Sequence, residues 1–359
     1  MERIRVLEVG NKLGGLGGTE QTLRLFVKYM DRSRFEPRVY SWQGLGGDDT
    51  EVYAQWGVPF ESHDNLPGLL NSFRPHIFHV HRAGWQEPYP IETAKSCGVP
   101  IVIETNVFGR HDPSPSGQAI DCHLFVSYFC MRRYQQWVGQ PLVSDAYKVV
   151  YNPIDVDEFD AFDFSRDMTV PAVGRYSRAD NTKWSDICIE MVPYLVKEVP
   201  ELVYYVIGET PEVRAKIREL GIEAHFRFFP LTGSRTKLFE FLKRFRVLVH
   251  GTELGESFGL TIAEAMASRI PAVTHNTHGG RDNAQVELID HGVNGVVADT
   301  PESYAAGVAY LLKNPSAARI MGENGYGKVK TCFEAKKITR GLEEIFEHFY
   351  DKKVVRKIP

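Results

Sequence analysis

The strongest constraint on this chain is a twofold run of alternating elements. Short apolar, β-branched runs at residues 4–9, 37–42, 76–80, 99–103, 123–126 and 148–151 alternate with stretches of helical spacing. Their mostly unbroken apolar character suits strands of a parallel sheet covered on both faces. Between the first two runs, Leu23, Phe26, Val27 and Met30 recur at spacings of three and four, one face of an amphipathic helix. Strand, helix and parallel strand in succession imply a doubly wound sheet. Residues 170–174, 202–207, 225–229, 246–250, 270–274 and 295–298 repeat the pattern, with helical stretches such as 186–196 and 211–220 between them.

The chain has 359 residues, and single cores stop growing near about 250–300 residues, so two domains are expected. The alternation places the first at residues 1–152 and the second at 169–332. Residues 153–168, rich in Asp and Phe and lacking either period, read as a linker, and 333–359 as a C-terminal helix and tail. In that helix Ile338, Leu342, Ile345, Phe346 and Phe349 share a face that needs a partner, either across the junction or on the first domain. Two such domains imply a cleft lined by loops at the carboxyl ends of the strands.

A composition of 43% apolar and 25% charged residues is that of a soluble globular protein, and a net charge of −4 gives no global attraction to nucleic acid. Cys97, Cys122, Cys130, Cys188 and Cys332 form neither a CxxC pair nor a metal-ligand spacing, so they read as reduced core thiols of a cytoplasmic protein. The first ten residues enter a strand at once, and neither a signal peptide nor a spanning helix is expected. Basic and apolar residues mix at 237–246 and 352–357. That mixture admits peripheral contact with the inner face of a membrane, against a competing reading of core-facing helices with solvated lysines.

Chemistry concentrates at residues 251–266, GTELGESFGLTIAEAM. Glu256 precedes a predicted helix, a Ser-Phe-Gly run opens it, and Glu264 follows two turns in. The first N–H groups of a helix have no intrahelical partner and can hold an anion, which the two carboxylates would bracket. Arg175 and Lys183 flank the loop after the first strand of the second domain, where two cations could stabilise a diphosphate leaving group. After the first strand of the chain, Gly14, Gly15, Gly17 and Gly18 allow close backbone approach to a ligand. The spelling is not GxGxxG, and no acid ends the second strand to hold a ribose, so a dinucleotide cofactor is not expected. His79 and His81 share a strand face but lack a third ligand nearby in sequence, and Asp155-Val156-Asp157 reads as a solvated turn. No metal is expected.

In order and content these motifs resemble the family 4 glycosyltransferases of the GT-B fold, two Rossmann-like doubly wound domains facing each other across a cleft. The family's Glu-x7-Glu motif is matched by Glu256 and Glu264, its glycine-rich loop by 14–20, and its domain junction by Tyr151-Asn152-Pro153-Ile154-Asp155. Its diphosphate clamp is matched by Gly174-Arg175 with Lys183, and its closing segment by Gly279-Gly280, Glu287 and residues 292–295. The resemblance implies retaining, metal-independent transfer of a hexose-type sugar from a UDP- or GDP-type donor, with no cofactor. Arg175 and Lys183 would neutralise the diphosphate with the backbone of Phe258, Gly259 and Leu260, Glu264 would hold the ribose, and Glu256 the donor sugar. Phe229 and Leu231 would flank the base. Gly14, Gly15, Gly17, Gly18, His81, Trp85 and the loop of residues 108–116 would meet the acceptor: a sugar, a lipid-linked sugar or a small molecule.

Two departures stand out. The family's His in a Thr-x-His context aligns with Asn106, which can donate a hydrogen bond but cannot titrate, and His111 has the wrong spacing to replace it. Residues 281–286 lengthen the segment before Glu287. The first departure keeps open a non-catalytic nucleotide-sugar binder on the same fold, and other GT-B-type enzymes, an epimerase or a phosphorylase, also fit the pattern.

Overall fold

The computed structural model describes residues 2–11, 13, 17–43, 49–62 and 65–357. The chain divides into two units, Met1–Pro153 with Phe333–Pro359, and Ile154–Cys332.

The first unit is a seven-stranded parallel sheet of β1 (Ile4–Gly10), β2 (Phe35–Ser41), β3 (Phe60–Glu61), β4 (Ile77–Arg82), β5 (Ile101–Asn106), β6 (Cys122–Phe125) and β7 (Tyr147–Val149). Their spatial order is β3-β2-β1-β4-β5-β6-β7, so the winding reverses between β1 and β4. The six expected strands all form, with ends shifted by a few residues; β3, only two residues long, is too short to show a period. Alternation along the strands sorts the core. Ile4, Val6, Ile77, Ile101 and Ile103 face the helices Gly18–Tyr29 and Ala335–Lys353, while Leu7, Val9, Phe78, Val80 and Val102 face Leu66, Leu69, Leu70 and Ile91.

The second unit is a six-stranded parallel sheet of β8 (Ala172–Tyr176), β9 (Val203–Ile207), β10 (Phe226–Phe229), β11 (Val247–Val249), β12 (Ala272–Thr274) and β13 (Gly295–Val297), ordered β10-β9-β8-β11-β12-β13. Its switch point lies between β8 and β11. Residues 153–168 are more than a bare connection: they include the helix Val156–Asp160, and the rings of Phe159, Phe162 and Phe164 lie 4.8, 5.3 and 5.4 Å from that of Phe239. An aromatic cluster formed within a bend has no period, which is why the stretch read as a linker. Phe239, Phe241, Leu242 and Phe245 are buried, so the apolar residues of 237–246 face the core.

Among the described residues no helix is long and apolar enough to cross a membrane. Cys122, Cys130 and Cys188 are buried as expected and Cys97 is half-buried, but Cys332, at the end of a surface helix, is exposed.

The apolar face of Ala335–Lys353 closes the first unit's core. Phe346 is fully buried, edge-on to Phe35 and 5.3 Å from the His79 ring. Phe346→Ala is expected to cost about 3–5 kcal/mol of unfolding free energy by urea titration, as large-to-small core changes do.

Candidate functional site

The loops that follow β8 and β11 meet because these strands are neighbours at the switch point, where open parallel sheets bind ligands. On the β11 side, Gly255 adopts φ +71°, and a Cβ there would strike the carbonyl oxygen of Asp282. Only glycine lets the two backbones approach so closely. The loop is then pinned to residues 282–285: Asp282 N donates to Leu254 O at 2.9 Å, Ala284 N to Glu256 O at 2.8 Å, and Glu256 N to Oε1 of the buried Gln285 at 3.1 Å. The lengthened segment 281–286 thus anchors the acidic loop. Gly259, at φ +110°, caps the helix Leu260–Ala267.

On the β8 side, Arg175 is buried rather than open to a ligand. Its guanidinium lies 4.0 Å over the Trp184 ring and donates to the carbonyl of Lys183, so it fixes the loop that carries the lysine. Ser185 N donates to Gly251 O at 3.2 Å, tying the two loops together. The outcome is an ion pair at their junction: Lys183 Nζ donates to Oε1 and Oε2 of Glu256 at 3.1 and 3.2 Å, and both side chains keep partial access to solvent. His250 Nε2 stands 3.7 Å from the same carboxylate. Burial works to raise Glu256, but the interactions with His250 and with the Lys183 charge outweigh it and hold the carboxyl at about 2. Burial in turn lowers His250, so that it stays neutral.

Glu264 sits deeper. Its Oε2 accepts from the Tyr176 hydroxyl at 2.9 Å and its Oε1 from Arg235 at 2.5 Å, while Arg235 also pairs with Glu158 at 3.1 Å. Each carboxylate oxygen retains a second lone pair for a further donor. Burial and then the Glu264 charge push the Tyr176 hydroxyl well up, keeping it a donor. Phe229 and Leu231 line a cavity of about 290 Å³ with Phe228, Pro230, Gly208 and Arg214. Phe258 is buried, so a ligand would meet its backbone and not its ring.

Tyr176, Arg235, His250 and Gln285 escaped the sequence reading. Tyr176 and His250 stand where strands give way to loops, a position that could have flagged them; nothing local marks Arg235 or Gln285, whose partners are 29 residues away.

Residues expected to meet an acceptor fare differently. Gly14 and Gly15 lie outside the described residues. Gly17 caps the helix Gly18–Tyr29 with extended backbone, and Gly18 begins it. His81 is 1% exposed and bonded to Glu8, on the sheet face beneath the Phe26 ring, so it belongs to the core and not to a ligand surface. Asn106 is likewise buried; its amide donates to Arg110 O at 2.7 Å and accepts from Arg110 N at 3.2 Å, which folds the loop after β5. Behind it, Arg82 joins Glu104 at 2.6 Å and Asp112 at 3.0 Å, bracing the same loop. Trp85 is exposed, with Arg110 stacked at 4.0 Å.

Residues 156–328 match the family model described as Glycosyl transferases group 1. An exopolysaccharide phosphotransferase of Streptomyces coelicolor is 25% identical over 219 residues, 60% of this chain and 22% of that protein. N-acetyl-alpha-D-glucosaminyl L-malate synthase of Bacillus anthracis is 30% identical over 147 residues, 39% of this chain and 36% of that one. The chain therefore spans well under half the length of these curated relatives. Among solved structures, Anabaena HepE in complex with UDP aligns with a TM-score of 0.74 at 16% identity, over 96% of this chain and 100% of that one. With its two parallel sheets of seven and six strands, the chain has the GT-B fold.

Because Glu256 is held at about 2 against an ordinary 4.5, its stabilisation is complete above about pH 4.5 and fades as pH falls toward 2. Acid titrations of stability are expected to show Glu256→Gln losing less over that window than the parent chain; parallel curves would remove the assignment.

Proposed function

We propose that this protein is a retaining, metal-independent glycosyltransferase of the family 4 type, moving a hexose from a UDP- or GDP-linked donor to a sugar, lipid-linked or small-molecule acceptor. The observation that carries the reading is the half-open Lys183–Glu256 pair at the switch point, in the unit that matches the glycosyl transferase model. Binding of UDP by the similarly folded HepE supports a nucleotide donor.

In this reading the donor diphosphate takes Lys183 from Glu256. The ammonium then meets the charge that develops on the leaving group, aided by the backbone N–H groups at 258–260. Arg175 adds a second positive charge behind the lysine and holds its loop in place. With those charges supplied by the protein, transfer needs no divalent ion. Glu256, released from Lys183, faces the sugar. Glu264, oriented by Tyr176 and Arg235, uses its remaining lone pairs for the ribose hydroxyls, and the cavity beside Phe229 and Leu231 takes the base.

A non-catalytic nucleotide-sugar binder is the second reading, favoured by one observation: Asn106 stands where the family has His, and its amide is committed to Arg110. Turnover separates the two. A thermal-shift screen of UDP- and GDP-sugars identifies the donor, and a transferase then releases nucleotide in the presence of acceptor whereas a binder releases none.

Lys183→Ala is expected to lower kcat/KM by roughly 10²–10³, about 2–4 kcal/mol of transition-state stabilisation, with the fold retained; full activity would remove the clamp. The transfer rate is expected to be the same in EDTA as in added Mg2+ or Mn2+, and NMR of the first product is expected to show the donor's anomeric configuration. Dependence on metal or an inverted product would each overturn its part of the proposal.

A further inference from the structure

The first unit contains a cluster that the proposed transfer does not use. The parallel register of β1 and β4 sets Glu8 opposite His79 and Gly10 opposite His81, so the carboxylate and both imidazoles leave the same face of the sheet. All three are buried, at 0%, 0% and 1% exposure. Oε2 of Glu8 lies 2.8 Å from Nδ1 of His79 and 3.1 Å from Nε2 of His81, and one ligand atom from each residue falls within 4.8 Å of the others. Phe26 and Phe346 pack against the rings from the two covering helices.

Two features call for a cation here. The ion-pair partners of Glu8 among the described residues are the two histidines, so a carboxylate sits in an apolar core with no lysine or arginine to balance it. Hydrogen bonds also leave the cluster incomplete. Nδ1 of His79 approaches the carboxylate without hydrogen-bond alignment, and Oε1 of Glu8 and Nδ1 of His81 are buried without a partner. An imidazole nitrogen directed beside a carboxylate oxygen suits an ion that both groups share. On the other edge of the His79 ring, Oγ1 of Thr105 lies 2.9 Å from Nε2 and can accept its N–H, the outer contact that leaves Nδ1 free to ligate.

We propose that Glu8, His79 and His81 form a structural binding site for a divalent transition metal of the zinc type. Imidazole and carboxylate donors suit zinc, whose bond lengths of about 2.0–2.2 Å place tetrahedral ligand atoms roughly 3.3 Å apart. The 2.8 and 3.1 Å separations seen here need only small side-chain rotations to admit the ion, and Oε1 of Glu8 supplies a fourth donor. No substrate could reach an ion buried under Gly18–Tyr29 and Ala335–Lys353, so its part is to tie β1 to β4. It shares no residue with the Lys183–Glu256 site, and metal-independent transfer there is unaffected by it.

The test uses the full chain, prepared without a polyhistidine tag and refolded with and without Zn2+. About one zinc per chain by elemental analysis, a raised melting temperature with Zn2+, and a four-coordinate ligand-field spectrum with Co2+ are expected. Glu8→Gln and His79→Asn are expected to lose both the metal and the thermal shift. If those variants fail to fold, the parent chain decides alone: zinc below about a tenth of an equivalent after refolding in Zn2+, with no Co2+ spectrum, overturns the proposal and leaves a proton as the balancing cation. Undiminished metal in folded variants overturns it equally.

Discussion

The pairing of β8 with β11 is the contact on which the candidate site depends. It is a backbone interaction, a parallel ladder in which Val247 lies opposite Val173, 74 residues earlier in the chain, and it is what brings a loop bearing Lys183 to a loop bearing Glu256. Each loop is then stiffened from behind. Arg175 holds the carbonyl of Lys183, and Gln285, Ala284 and Asp282 hold the backbone from Leu254 to Glu256. The ion pair at the junction stays partly open because the groups that fix it approach from the protein side.

The carboxylates of the Glu-x7-Glu motif have distinct environments although both carry the same chemistry. Glu256 keeps partial access to solvent and is paired with the ammonium of Lys183, which is itself partly exposed. Glu264 is nearly enclosed and bonded to a tyrosine hydroxyl and a guanidinium, partners that orient it and remain in place. Burial and charge thus give the two acids different settings, one in a partly open ion pair and the other enclosed and held in a fixed pose.

In the first unit the same sheet logic buries polar groups. β4 places His79 and His81 in the core, and β5 places Glu104 and Asn106 there, where Arg82, Asp112 and His123 complete a connected network. Such networks are costly unless satisfied. Here the Arg82 network braces the loop after β5 although Nη2 of Arg82 is left without a partner, and the Glu8 cluster is likewise left unfinished by the protein atoms described.

The alternation of apolar runs and helical spacings was enough to predict both sheets, since a strand buried on two faces and a helix buried on one each leave a local period. Glu256, Lys183 and Glu264 were legible because loop ends and helix starts are local features as well. Partners distant in sequence were not. Nothing near Glu264 announces Arg235, nothing near Glu256 announces Gln285, and the third member of the His79–His81 cluster, Glu8, comes from a strand that only register sets opposite. His81 and Asn106, expected as ligand contacts, are buried for the same reason: the sequence determined that they stand at strand ends, whereas only the tertiary structure decided which side of the sheet they face and what covers it.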